Sequence, residues 1–563
     1  MTALRPPLLL VTMVATAALL QGCGTPSPAP LREVKTGCAA LAGSSIAASA
    51  IGIPSGVATL VSATLVAASP LSTVERGPTP AATITPAAPE YCKVLGHIAP
   101  LDPKAPLINF QINLPVAWNG RLVQYGGGGF NGVLITALGL VPAAPFDKAS
   151  PLARGFVTVG TDSGHQNEAG KPPQTFALND EALLNFSHAS YKKVRDVAVA
   201  VMKQAYGRAP QKLYFVGSSE GGREGLSMAQ RYPADFNGIF SRVPVIHWTG
   251  LQFAGTRNGI ASMGENWLRP AQVKLVHDAV LATCDELDGV KDGIVSDAVA
   301  CKARFDVSPL RCLPRQHPDT CLTDGQVAAV RTLHSPYRFA SPLANGLTEY
   351  PGWGVGGENT TSYGPTGGWS AWWLGSSAPA QPPAPSNGIA WFYGSGALQY
   401  FYARNPAVDP RTITPENTAS RVREVSALMD ATDPNLHAFA NHGGRLIVLE
   451  NMADYAQSPY AGIQYVESVV KTMGTSKTAD FLRLFTAPGV DHVGSGAPGN
   501  VDMLDALVEW VERGRAPNGL ELQEQSHKPP FATMRARPLC PWPMVPRYQG
   551  GDANAASSFR CLP

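Results

Sequence analysis

Charge is what this chain has least of. Lys, Arg, Asp and Glu make up 15% of its 563 residues and nearly cancel, at +2. A chain so balanced carries no electrostatic footprint for nucleic acid, and its composition is not that of a disordered or coiled-coil protein. The nine cysteines include no CxxC pair and no cysteine–histidine spacing, which excludes a zinc cluster. Past the first 22 residues no apolar run reads as a membrane span. The stretch 39–70 is apolar but rich in Ala, Ser and Gly, and Pro54 and Pro70 break it. Glycine (56) and proline (50) are plentiful and imply much loop, and the length allows a core domain with a large insertion.

The N-terminus reads as a targeting segment. Arg5 gives the positive start, Pro7 to Leu20 the apolar stretch, and Leu20-Gln21-Gly22-Cys23 the close. The pattern resembles a bacterial lipoprotein signal over residues 1–22, with Cys23 as the lipid-bearing first residue of the mature chain. A plain secretory signal is the alternative, and either one exports the protein, leaving it membrane-anchored toward the periplasm or cell surface, or secreted. Residues 23–37 form a tether. Eight cysteines remain after Cys23, an even number suited to four disulfides in an oxidising compartment. Their pairing is not fixed by sequence, but local proximity favours Cys284–Cys301, Cys312–Cys321 and Cys540–Cys561, which leaves Cys38–Cys92.

An alternating strand–helix pattern begins after Cys92. Apolar runs at 93–98, 107–114, 121–125, 156–160, 213–216 and 236–242 predict strands, and 191–206 predicts an amphipathic helix. Residues 38–90 carry no clear period and are expected to pack helices over the core. The run Leu213–Val216 leads into Gly217-Ser218-Ser219-Glu220-Gly221, and helix-forming residues follow to Tyr232. Strand, G-x-S-x-G turn and helix make the nucleophile elbow of an α/β-hydrolase, with Ser219 at a helix N-terminus that favours negative charge. The tract Gly126–Gly129 directly follows another strand, where backbone N–H groups can complete an oxyanion hole with the N–H of Glu220.

The alternation stops after Pro244. Residues 245–433 hold seven of the ten tryptophans and four cysteines, and read as a lid inserted between two core segments, 38–244 and 434–563. Strand and helix patterns resume at 445–449, 460–473, 482–486 and 501–513, and the tail 514–563 reads as loop. Asp454 follows the strand at 445–449 and His492 the strand at 482–486. The chain order Ser219, Asp454, His492 is the order these hydrolases use. Glu450 and Asp491 are competing acids, but Asp491 adjoins the histidine and is badly placed to orient its ring. Asp162 and His165, earlier in the chain, read as structural loop residues. Within the lid, Asp285, Asp288 and Asp292 alternate with Gly289 and Gly293, a set suited to a hard cation such as Ca²⁺. Ser296 at the twelfth position excludes an EF-hand.

The stretches WNGRLVQYGGGG (118–129), GSSEGGREG (217–225), CDELDGVKDGIV (284–295), WWLGS (372–376) and RPLCPWPMVPRYQG (537–550) resemble the tannase and feruloyl esterase family. They span nearly the whole mature chain. The resemblance implies an α/β-hydrolase core with a large lid, and hydrolysis of small-molecule esters of aromatic acids. It places the triad on Ser219, Asp454 and His492 and the oxyanion donors on Gly129 and Glu220. It implies a structural calcium on Asp285, Asp288, Asp292 and the carbonyls of Val290 and Ile294, and a ring-stacking role for Trp372. Two departures stand out. The family usually joins a cysteine before the nucleophile to one after the histidine, where this chain has Ser218 and Val493. Members acting on a terephthalate monoester carry a lid arginine shortly after the WWLGS segment, and here Ser376–Leu398 contains neither Arg nor Lys. The expectation is therefore an esterase for aromatic acids without a free carboxylate. A terephthalate monoester is the alternative substrate, and an inactive surface lipoprotein that binds aromatic ligands is the alternative class.

Overall fold

A computed structural model describes residues 1–2, 34–75, 82–360 and 368–563. The targeting segment and Cys23 lie outside them. The frame is an eleven-stranded sheet, numbered in chain order: β1 Ser45–Ile46, β2 Ala58–Val66, β3 Tyr91–Ile98, β4 Ile108–Pro115, β5 Arg121–Tyr125, β6 Val157–Thr161, β7 Lys212–Ser218, β8 Gly238–Arg242, β9 Arg445–Asn451, β10 Leu482–Ala487 and β11 Cys540–Pro541. The spatial order is β1-β2-β3-β4-β6-β5-β7-β8-β9-β10-β11. Strands β6, β5, β7, β8, β9 and β10 run parallel to one another, while the strands outside them pair antiparallel.

The parallel strands read as continuous apolar runs because helices cover both faces. Along β7, Leu213 and Phe215 join the core on one side, and Tyr214 and Val216 join it on the other. Helix Ser190–Tyr206 buries Val194, Val197, Ala198 and Val201 against the first face. Helix Met503–Arg513 buries Leu504, Leu507 and Trp510 against the second. This is the α/β-hydrolase arrangement.

Two expectations fail. Among the described residues of 38–90, only the short turns Ala39–Leu41 and Ala48–Ala50 are helical. The segment adds β1 and β2 to the sheet edge, with the hairpin Ser72–Glu75/Ala82–Thr85 outside them. The run ATLVSATLV of β2 is rich in β-branched residues and buries only its first half, so its period is hard to see. The tail 514–563 is more than loop. It holds the pairs Glu521–Gln525/Thr533–Pro538 and Val545–Tyr548/Phe559–Leu562, and it closes the sheet with β11. These strands are too short and too polar to signal themselves.

All four disulfides form as proximity suggested: Cys38–Cys92, Cys284–Cys301, Cys312–Cys321 and Cys540–Cys561. They place the chain in the oxidising setting of an exported protein. Among the described residues no helix is long and apolar enough to cross a membrane. Between β8 and β9, at 243–444, the described chain adds no strand to the main sheet and builds helices instead, chiefly Trp248–Ala261, Pro270–Cys284, Asp324–His334, Ile389–Ala397 and Ala419–Met429.

Candidate active site

β7 ends in a sharp turn at Ser219, whose backbone takes φ 60°, ψ −122° before helix Glu220–Arg231 starts. A non-glycine residue is strained there, and the neighbours over-determine it. The Ser219 N–H donates to the Arg242 carbonyl at 3.0 Å, and its carbonyl accepts from Gly222 at 3.0 Å. Glycine is required on both sides of the contact. A Cβ on Gly217 would stand 2.1 Å from the Gly221 oxygen, and one on Gly126 would stand 2.6 Å from the Gly221 Cα. The elbow and the glycine tract therefore pack backbone to backbone.

The loops after β9 and β10 are zipped together. Met452 donates to Ala487 at 2.9 Å, Ala453 to Val490 at 3.1 Å, and the Asn451 side chain to the Asp491 carbonyl at 2.6 Å. That brings Asp454 and His492 side by side. His492 Nδ1 lies 2.7 Å from Asp454 Oδ2, and Nε2 lies 3.0 Å from Ser219 Oγ. Asp454 Oδ1 accepts from the N–H groups of Ala456 (2.7 Å) and Gln457 (3.0 Å), which fixes the carboxylate's rotation.

The competing acids are engaged elsewhere. Asp491 Oδ1 accepts from the N–H groups of Val493, Gly494 and Ser495, at 3.1, 3.0 and 2.9 Å, and shapes the histidine loop. Glu450 is fully buried. Its Oε2 accepts from Gln457, its Oε1 has no partner, and burial beside Asp454 pushes its pKa well up. Asp162 accepts from Asn109, Gly164 and Gln166, and His165 stacks on Phe176 with 3.7 Å between ring centres. Both brace the loop after β6, with His165 Nε2 2.9 Å from the Phe130 carbonyl.

Glu220 opens its helix, so its N–H has no intrahelical partner. Gly129 sits at φ 57° beside it in the pocket wall, and among the described residues its N–H donates to no acceptor. Sequence reasoning missed what holds this tract. Glu224, buried in the elbow helix, accepts from the Gly127 N–H (2.8 Å), Asn131 Nδ2 (2.6 Å) and Tyr191 OH (2.5 Å), and Asn131 Oδ1 accepts the Gly128 N–H at 2.5 Å. A glutamate inside an otherwise buried helix face was the available signal. The Glu220 side chain pairs with the buried Arg223, Nε to Oε1 at 2.7 Å.

Ser219 and His492 open into a cavity of about 50 Å³, walled by Phe130, Trp248, Trp372 and Tyr393. The Trp372 ring centre is 6.0 Å from that of His492 and 6.1 Å from that of Tyr393. The Tyr393 hydroxyl stands 3.3 Å from where a Gly129 Cβ would be, and it has no hydrogen-bond partner among the described residues. Gln252, on the same helix as Trp248, also lines the cavity. The lining contains no Lys or Arg.

On the lid loop, Gly289 (φ 101°) and Gly293 (φ 79°) bend the chain around three aspartates. Asp285 Oδ1 accepts the N–H groups of Asp292 and Gly293, and Asp292 pairs with Arg537. Asp288 is buried, and its carboxyl faces the Ser296 hydroxyl. Val290 donates its N–H to Asp288 and Ile294 donates its N–H to Asp292, while the side chains of the three acids do not gather into a ligand group among the described residues.

The fold is that of an α/β-hydrolase, and comparison with known proteins narrows the class. The pattern of the family "Tannase and feruloyl esterase" matches residues 92–562. An uncharacterized esterase of Agrobacterium fabrum is 36% identical, covering 93% of this chain and 92% of its own. Mono(2-hydroxyethyl) terephthalate hydrolase of Piscinibacter sakaiensis is 34% identical, covering 86% of this chain and 87% of its own. Feruloyl esterase B from Aspergillus oryzae superposes with a TM-score of 0.72 at 24% identity, covering 94% of this chain and all of that one. The chain belongs to the tannase and feruloyl esterase family, and it is a carboxylic ester hydrolase.

Proposed function

We propose that this esterase hydrolyses esters of uncharged aromatic acids through an acyl-enzyme on Ser219. One observation carries the reading: Ser219, His492 and Asp454 form an unbroken hydrogen-bonded line that opens into a pocket walled by aromatic rings. His492 Nε2 takes the Ser219 proton as Oγ attacks the ester carbonyl. The N–H groups of Glu220 and Gly129 face the tetrahedral oxyanion. His492 then gives its proton to the departing alcohol, and the acyl group stays on Ser219. Water, deprotonated by His492, repeats the attack and frees the acid. Asp454 holds the imidazole in the required tautomer throughout.

The rings of Trp372, Tyr393 and Phe130 suit a flat acyl group. A free carboxylate in this pocket would lose water and meet no cation among the lining residues, a costly transfer. Residues 245–433 act as the lid and supply Trp372 and Tyr393, while Phe130 comes from the core. Initial rates on methyl ferulate, methyl gallate and the terephthalate monoester test the assignment. The two uncharged esters should be turned over faster, and preference for the monoester would overturn it. Equal hydrolysis of p-nitrophenyl acetate by wild type and Ser219→Ala would point to a ligand-binding protein instead.

We infer a structural Ca²⁺ on Asp285, Asp288, Asp292 and the carbonyls of Val290 and Ile294. The support is the donor set, which is all oxygen on a loop bent by Gly289 and Gly293. Such an ion would order the lid loop and take no part in the reaction. The N-terminal segment supports a lipid anchor at Cys23, which labelling with a radioactive fatty acid would test against Cys23→Ser.

A further inference from the structure

Arg242 ends β8 in register with Ser218 on β7 and Leu449 on β9. Its carbonyl takes the Ser219 N–H, and its side chain turns down beneath the elbow, where the residue is 5% exposed. Nη1 donates to Ser218 Oγ at 2.9 Å. Nη2 reaches the histidine loop, since a Cβ on Gly494 would lie 3.2 Å from it. Nε and Nη2 are buried with no hydrogen-bond partner among the described residues. A guanidinium is always charged, and burying it with two donors unsatisfied is costly unless nearby anions compensate. The groups that face it are Glu450, Asp454 and Tyr455 from β9 and its turn, and Asp491 from the loop that carries His492. Burial pulls the Arg242 pKa down while these acids oppose that pull. Burial pushes the Glu450 pKa well up, so the charge acts chiefly on Asp454 and Asp491.

We propose that Arg242 is a positioning residue for the reaction: it holds the residue before the nucleophile by a hydrogen bond, packs against the histidine loop, and sets its charge beside the Asp454 and Asp491 carboxylates. Ser218 and Val493 leave these two loops without a covalent link, and the guanidinium spans the same gap. The proposal rests on the serine-esterase reading.

The test is the pH dependence of kcat and KM for p-nitrophenyl acetate in wild type, Arg242→Met, Arg242→Lys, Ser218→Ala and Ser219→Ala, with a thermal melt of each. Without the cation the His492–Asp454 couple binds its proton more tightly. Arg242→Met should lower kcat about 100-fold, leave KM within about threefold, and move the acid limb of kcat/KM up by about one pH unit. Arg242→Lys keeps the charge but cannot span both loops, so kcat should fall about tenfold with the limb unmoved. Ser218→Ala should also leave the limb unmoved. A folded Arg242→Met with the wild-type limb overturns the proposal. If Arg242→Met does not fold, Arg242→Lys decides: wild-type kcat, or a shifted limb, overturns it. Ser219→Ala separates the two readings. Full activity there sinks the esterase reading and this proposal together, whereas lost activity there with a wild-type Arg242→Met profile sinks this proposal alone.

Discussion

Glu450 and Asp454 are two acids on one stretch of chain, and their surroundings give them opposite uses. Glu450 has an oxygen with no donor near it, while Asp454 receives two backbone N–H groups and faces the His492 ring. Hydrogen bonds of that kind suit a carboxylate, and their lack suits the neutral acid. Two predictions belong at this scale. Ser219→Ala and His492→Ala should each cut kcat on the order of 10⁶-fold and Asp454→Asn on the order of 10⁴-fold, read from steady-state rates. Asp491→Asn should keep the catalytic rate within about tenfold, because Asp491 shapes the loop rather than the imidazole. The second concerns Glu450, which ionises at an ordinary value of 4.5 when unfolded but holds its proton well above that when folded. Its contribution to stability is therefore full below about pH 4.5 and lost as pH rises toward the folded value. Glu450→Gln does not titrate, so its melting temperature should gain on that of wild type between about pH 4 and pH 8. A constant difference would show that Glu450 is not held neutral.

Among elements, the contact between the glycine tract and the elbow helix fixes the backbone of the proposed oxyanion donors. Glu224 clamps Gly127 directly and Gly128 through Asn131. Glu224→Ala should therefore lower kcat by about 10- to 100-fold with little change in KM, since the donors act on the transition state. An equal change in both constants would mean that Glu224 only supports folding of the pocket. The same contact shows what a sequence can reveal. Gly126–Gly129 and GSSEGG were legible because close backbone approach tolerates no side chain, and the parallel strands were legible because both faces are buried. The half-buried strand β2 and the short strands of the tail were not, since half-buried or six-residue elements leave little periodic signal. Arg242, Tyr393 and Gln252 belong to no motif, and only the packing of distant elements gives them a place at the site.

For the molecule as a whole, the proposed reaction would draw its reacting groups from the core and two of its pocket rings from the inserted segment. Trp372 and Tyr393 come from that segment and reach the imidazole and the oxyanion glycine. Tyr393→Phe keeps the ring and removes the hydroxyl, so it should raise KM for ring-hydroxylated esters several-fold and leave p-nitrophenyl acetate unaffected. Measured calcium content and melting with and without chelator address the lid loop. Chelation should lower the melting temperature, and an unchanged melt with no bound metal would remove the ion. Far from the site, Cys38–Cys92 closes a 54-residue separation between the N-terminal segment and β3. Replacing the pair with serine should cost about 4 kcal/mol of stability in denaturant titrations without altering kcat.

The central claim is that Ser219 is made nucleophilic by His492 and Asp454. It is met most directly by mixing the protein with a fluorophosphonate and following its intact mass. Wild type should gain a single adduct, His492→Ala should gain it far more slowly, and Ser219→Ala should gain none. An adduct that forms equally on Ser219→Ala, or none on folded wild type, would contradict the account.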